Sequence, residues 1–510
     1  MTMTNNKEKS EFFTIFILPF KYEVKNIDKL APKKLGEKFT KGNKNSEKGW
    51  CAESYSIDNT NNYNEFYYFH PFIRRAIFNK YKEANIEYLT RTDYKELEVE
   101  YFEGNSTKTI TTEIKSIDLH IFENQIGLLT ITTEQTNPIS FEEVLRYNDI
   151  VRRIYPPYFD NGSLESVKRI SKMLPIKVSL KGNNPDLVEN FPDSILPTEN
   201  EERRYDDTVY ISRIIEGILS PLELKKRKNM ELKKGKFYFT HYADERMFIL
   251  SYYSDAHLSG NIKESKSFEN SDDWYRFIFV DGGYIGIEND EMKKELLNKH
   301  TYSRWLNYGT LFGMSRYSFV MLCDDSGFSR GFLKQQMKSM YYQISLIVLL
   351  QHAMLLKFEE DVNHLTEEFR LRKLSKDNKT MAENLHGDFI KFMNKYWTNE
   401  ITPQEQGIEI YNQFRELTNI TELFNEVKTE ISELVSFVDN KIGAEADERL
   451  RWLTYWGAFL SALILFEGVF SKIIPIEIIF HARLIFSILM FGVLIYLIYH
   501  EFVAKKIKLF

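Results

Sequence analysis

Cysteine is nearly absent from this 510-residue chain, with Cys51 and Cys323 the only two. That excludes a disulfide framework and any thiolate-rich metal site, and it fits a reducing compartment. Also missing are a glycine loop of the phosphate-cradling kind, a His/Glu pair at metal-ligand spacing and a zinc-like Cys/His pattern. Gly283-Tyr284-Ile285-Gly286 reads as a hairpin turn instead. The ten histidines are scattered, and no nucleophile stands beside a recognisable base. No catalytic residue and no covalent cofactor are therefore expected, and the chain is not read as an enzyme. A strong excess of one charge is lacking too. The net charge of -6 is small for this length, so direct nucleic-acid binding is not expected.

What the chain does have is apolar length at its end. The stretches 452–471 and 484–503 are each about the 20 residues that a helix needs to cross ~30 Å of hydrocarbon, and a short loop joins them. They predict a C-terminal transmembrane hairpin. Lys441, Arg449 and Arg451 precede the first span and Lys505, Lys506 and Lys508 follow the second, against Lys472 and Arg483 in the loop. Basic residues favour the cytoplasmic side, so both termini, including the basic tail 504–510, are expected there. The short apolar run 12–20 lacks a small-residue cleavage site and reads as a buried first strand rather than a signal peptide.

Residues 1–330 read as an α+β cytoplasmic domain. Strand patterns cover 12–19, 65–69, 96–102, 107–115, 117–122 and 127–133, the last two forming a hairpin. Ser140 and Glu143 have capping-box spacing, which starts a helix that Pro156 and Pro157 stop. Residues 160–235 are irregular, and the charged run near 220–236 is a candidate domain joint. Further strands are expected at 237–242, 246–253, 274–280 and 318–322. From 331 to 451 the pattern is helical and predicts long stalk helices. The first runs from 332 to about 374, and its apolar part, 344–358, is short for a span and reads as a core or subunit-contact helix. Thr402-Pro403-Gln404-Glu405 starts the second. A heptad seam follows, with Ile420, Val427 and Leu434 on one position and Phe424, Ile431 and Val438 on the other. Its phase runs on to Trp452, which predicts a near-continuous helix from water into bilayer, packed on copies of itself or on the first stalk helix. The fold class is thus an α+β cytoplasmic domain, long stalk helices and a C-terminal two-helix transmembrane hairpin.

On the first span Thr454, Gly457, Ser461 and Gly468 share a stripe. Small, weakly polar side chains on one stripe serve close helix packing or line a watery path. Two helices cannot enclose a pore, so a path requires an oligomer. Glu467, near the outer end, is a membrane carboxylate or a headgroup contact, and Glu477 in the loop would concentrate cations at an outer mouth.

This layout resembles the CorA-like family of magnesium transporters, in which five subunits surround a pore lined by the first span, ending in Gly-Met-Asn, with a proline in the loop beyond. Gly468 matches the motif glycine and Pro475 the proline, while Val469 and Phe470 replace the methionine and asparagine. The missing asparagine, which contacts the hydrated ion in that family, argues against Mg2+ selectivity. Ile117-Asp118-Leu119-His120-Ile121-Phe122, residues 305–317 and Met340-Tyr341-Tyr342-Gln343 resemble CorA-like proteins of prokaryotic defence loci, including type III CRISPR-associated effectors. That resemblance implies a soluble domain sensing a nucleotide messenger of the adenosylmethionine-AMP type, a homo-oligomer, typically a pentamer, and action on the prokaryotic inner membrane.

Candidate ligand-binding residues are Arg304 and Trp305, with Arg316 and Tyr317: aromatics stack on bases, and arginines grip phosphate. Arg152 and Arg153 at a helix C-terminus form a second pair. Three functions are consistent with these features: a messenger-gated membrane effector that permeabilises the bilayer, a constitutive divalent-cation (Mg2+) transporter, and a non-conducting membrane scaffold.

Overall fold

The computed structural model describes all residues up to 470 except 1–9, 26–30, 81–85, 104–105, 136–138, 155–175, 191–210, 227–229, 243–245, 284 and 372–375, and beyond 470 only 485, 488, 489 and 492. The chain divides into two compact units, Met1–Glu360 with Gly387–Lys428, and Asp361–His386 with Thr429–Phe510.

The first unit is built on one mixed sheet. Its strands in chain order are β1 (Glu11–Val24), β2 (Cys51–Ala52), β3 (Glu87–Arg91), β4 (Tyr94–Glu103), β5 (Ser106–Ile121), β6 (Ile126–Glu134) and β7 (Lys177–Gly182). Then come β8 (Leu187–Asn190), β9 (Glu223–Leu224), β10 (Phe237–His241), β11 (Phe248–Ser254), β12 (Thr301–Tyr302), β13 (Leu311–Ser315) and β14 (Ser318–Cys323). The main path runs β12-β13-β14-β11-β1-β6-β5-β4-β7-β8, with β10 also on β1 and β3 on β5. Pairing is antiparallel except for β11 with β14 and β9 with β10. The stretch 220–236, where a joint is expected, supplies β9 to this same sheet.

β1 sits centrally. One edge pairs with β6, while the other pairs first with β11 and then, from Phe20, with β10. Pro19 falls at this exchange of partners, where its missing N–H is not needed, and its carbonyl accepts from Tyr242 N at 3.1 Å. Both faces of β1 are covered, which is why its sequence reads as a nearly unbroken apolar run. On one face Phe12 and Phe16 meet Tyr147 edge-on, at 5.6 and 5.8 Å. On the other, Phe248 of β11 and Phe319 of β14 pack on Phe414.

The helices that matter for the site are α1 (Thr60–Tyr68), α2 (Pro71–Ile77), α3 (Phe141–Val151), α4 (Asp272–Phe279), α5 (Lys334–Lys338), α6 (Met340–Leu371), α7 (Lys376–Lys395), α8 (Glu405–Thr418) and α9 (Ile420–Phe470). α3 begins at the expected capping box, with the Ser140 hydroxyl accepting from Glu143 N and the Glu143 carboxylate accepting from Ser140 N.

Two expected strands are helices. The segment 65–69 falls largely in α1, which Asn59 caps by accepting from Asn62 N at 2.9 Å. The segment 274–280 falls in α4 up to its C-cap Val280; Ser271 accepts from Trp274 N at 3.1 Å, and Asp272 and Asp273 complement the helix dipole. Short aromatic runs suit either period, and the caps decide. Conversely, the two strands expected at 107–115 and 117–122 are one strand, β5, with a bulge between Ile114 and Ser116.

The first stalk helix is interrupted at Ser339 (φ -122, ψ -89), separating α5 from α6. Ser329–Phe369 is the one described helical stretch long and apolar enough to cross a membrane, but 78% of its most apolar window is buried inside the protein, and 344–358 is core. The second stalk helix starts at Glu405, not directly after Thr402, and Asn419 (φ 58, ψ 27) divides it into α8 and α9. The near-continuous helix expected from 402 breaks once, at Asn419, and the helix that carries the seam then runs unbroken past Trp452 to Phe470. All six seam residues, Ile420 to Val438, are buried within the single chain. In the first unit Phe424 stacks on Trp397 at 4.0 Å. In the second, Ile431, Leu434 and Val438 are buried alongside Val362, Leu365 and Leu385, and Lys379 pairs with Asp439 at 2.7 Å. The seam thus serves the chain's own packing rather than a copy of itself.

Candidate functional site

The bulge in β5 accompanies a cavity on the sheet face away from α3. Before it, Ile110 and Ile114 face the α3 side of the sheet; after it, Ile117, Leu119 and Ile121 do, so the parity of the strand has shifted by one. Ser116, Asp118 and His120 are thereby turned to the opposite face, into a cavity of about 290 Å³. β3 lies beside them, with Thr90 opposite Asp118 and Tyr88 opposite His120. α1 contributes Glu65, the turn after α2 contributes Phe78 and Asn79, and the first turn of α6 contributes Tyr342 and Gln343.

Asp118 accepts from Thr90 Oγ1 (2.7 Å) and Tyr88 OH (3.1 Å) on one oxygen and from Ser116 Oγ (2.7 Å) on the other. Burial nonetheless raises its pKa, partly offset by these three donors. Glu65 is raised for the same reason, with Gln343 Nε2 donating at 2.8 Å and the Tyr55 hydroxyl at 3.0 Å. His120 lies 3.1 Å from the Tyr342 hydroxyl, which also lies 3.2 Å from Thr130 Oγ1. Burial lowers the His120 pKa to about 4, so the ring is neutral. The margin is basic. Lys338 pairs with Glu134 at 2.7 Å and Lys115, the bulge residue, with Glu113 at 2.7 Å. The site therefore joins an acidic floor, aromatic walls and a basic edge.

Two of the sequence segments that carry the family resemblance meet here, Asp118 and His120 from one and Tyr342 and Gln343 from the other. The residues named from sequence as ligand candidates are elsewhere. Arg304 pairs with Glu409 at 2.8 Å, and Trp305 Nε1 donates to Gln406 at 3.2 Å, so both help hold α8. Arg316 and Tyr317 form the β13–β14 turn, where the Arg246 guanidinium lies 4.7 Å from the Tyr317 ring. Arg153 and Arg246 share a β-bridge, which brings this turn and the Arg152–Arg153 pair to a common neighbourhood. Arg152 and Arg153 both bind Asp149, at 3.1 and 3.0 Å, and Arg152 also donates to Val280 O. Arg152 Nη1 and Arg153 Nε are buried without a hydrogen-bond partner.

Thr454, Gly457, Ser461 and Gly468 all lie in α9. The two hydroxyls are satisfied by their own helix, Thr454 on Leu450 O (2.9 Å) and Ser461 on Gly457 O (2.8 Å). Glu467 is also on α9, while Pro475 and Glu477 lie outside the described residues. Among the described residues no group of three His, Cys, Asp or Glu side chains is arranged to hold a metal ion.

No protein-family model matches the chain, and no curated protein sequence matches it.

The sequence alone does not assemble these residues, because Glu65 sits in a run that suits a strand and the bulge at Lys115 looks like a strand end. The available signal was the polar pair Asp118 and His120 inside an otherwise apolar run.

Proposed function

We propose that the chain is a messenger-gated membrane effector of the CorA-like plan, in which a nucleotide binds the β5 cavity and the C-terminal hairpin permeabilises a prokaryotic inner membrane. The observation that carries this reading is the described end of α9. Leu453, Trp456, Leu460, Ile464 and Leu465 are 46–68% exposed; at 100° per residue the first four form one stripe within roughly 80°, and Leu465 lies about 100° beyond it. An uncovered apolar helix is costly in water and at home in lipid. Ile485, Ile488 and Leu489, in the second apolar stretch, are exposed in the same way.

Gating requires a ligand that contacts two states differently, since equal affinity shifts nothing. Tyr342 and Gln343 stand one turn into α6, next to the backbone break at Ser339, so a guest that displaces them acts on a helix end. A conducting path requires several copies around an axis, and the family resemblance implies five. The altered Gly468-Val469-Phe470 end of the first span favours permeabilisation over selective Mg2+ transport.

The test is dye and ion release from liposomes carrying the purified chain. Release is expected only when a nucleotide messenger is added, and Tyr342→Ala with Gln343→Ala should suppress it. Release that is constitutive, or indifferent to every nucleotide tried, overturns the reading.

A further inference from the structure

The lining of the β5 cavity is unbalanced in its hydrogen-bonding sense. Asp118 and Glu65 are 7% and 8% exposed, and neither has a lysine or arginine in ion-pair range among the described residues. Their partners are neutral donors: three for Asp118, and the Gln343 amide with the Tyr55 hydroxyl for Glu65. A carboxylate accepts about four hydrogen bonds, so both keep acceptor capacity. A guest that brings N–H donors is bound by these oxygens. A guest that brings a carbonyl there is repelled, and it leaves buried acceptors unpaired.

The walls supply flat apolar surface, with Tyr55 and Phe78 at 4.3 Å between ring centroids and Tyr88 against His120 at 4.8 Å. At the edge, the Lys338 and Lys115 ammonium groups are held by Glu134 and Glu113 and are able to exchange these partners for an anion. At about 290 Å³ the cavity is at the small end of the roughly 300–1,000 Å³ range for ligand pockets. That suits a single nucleoside.

We propose that this cavity selects a nucleotide whose base carries an exocyclic amino group, placing the N–H edge on Asp118 and Glu65, the ring among Tyr55, Phe78 and Tyr88, and the phosphate at Lys338 and Lys115. It rests on the nucleotide reading above and adds which residues read the base and which hold the phosphate. The bulge at Lys115 is what makes both ends of the recognition possible, because it turns Asp118 inward and leaves its own lysine at the edge.

The test uses the full chain in detergent and three probes, the 5′-monophosphates of adenosine, guanosine and inosine, with binding read by calorimetry or saturation-transfer NMR. Inosine monophosphate lacks the exocyclic amine. The adenosine or guanosine compound is expected to bind at least about tenfold more tightly than the inosine compound. This comparison needs no variant, so a folding defect cannot obscure it. Asp118→Asn should narrow the ratio, whereas Lys115→Met, at the half-exposed edge, should weaken all three and preserve it. Equal binding of the three, or none at millimolar concentration, overturns the inference. Nucleotide-triggered liposome release without an amino preference would remove the inference and leave gating intact; the preference without release would do the reverse.

Discussion

His120 is neutral at physiological pH because burial lowers its pKa from 6.5 to about 4. The unfolded chain binds a proton there between these two values and the folded chain does not. The stability this histidine contributes is therefore complete above pH 6.5 and is lost as the pH falls toward 4, at full extent about 3 kcal/mol. Asp118 and Glu65 work in the opposite sense, since their raised pKa values make the fold hold protons that the unfolded chain releases. His120→Asn should flatten the decline of the melting temperature between pH 6.5 and 4.5. An unchanged slope would show that the ring titrates normally. At this scale the sequence was partly legible. Asp118 and His120 stood out as polar residues within Ile117-Asp118-Leu119-His120-Ile121-Phe122, but nothing local joined them to Tyr342, 222 positions away from His120. The arginines that stand out in sequence, such as Arg304, have chemistry suited to phosphate and are engaged by carboxylates such as Glu409.

Among the elements, α9 makes the sharpest distinction between pattern and use. Its heptad stripe was visible in the sequence, and the stripe is buried, but by the chain itself. Periodicity reports that a helix face is covered and is silent about what covers it. Ile431→Asp should therefore destabilise the helices of the second unit directly, by about 3 kcal/mol or more for an unpaired buried charge. The expected readout is loss of helical circular dichroism at a lower temperature, with protease cleavage appearing between 361 and 440. Dissociation of an oligomer with unchanged melting would contradict it. α3 was readable down to its cap because Ser140 and Glu143 form a purely local bond pair. α4 carries an equally local start signal in Ser271, Asp272 and Asp273, but the aromatic run behind them suits a strand as well as a helix.

For the molecule as a whole, the proposed membrane attachment rests on the apolar residues after 451. A chain ending at Arg451 is expected to stay in the aqueous fraction of a flotation gradient, whereas the full chain rises with liposomes; co-flotation of the shortened chain would place membrane affinity elsewhere. That the chain combines a mixed α/β sheet with many helices was legible from composition and periodicity. The order of the sheet was not, because strand order is decided by long-range pairing that no window of sequence contains. β1 shows the consequence. Residues 11–24 are made first, yet one edge of this strand waits for β6 at 126–134 and the other for β11 at 248–254. At synthesis rates of roughly 5–20 residues per second, the newborn strand carries an open, apolar edge for tens of seconds before its last neighbour leaves the ribosome. Until then only a transient partner, such as a chaperone, can cover that edge, and the sheet can close while the residues after 451 are still to be made.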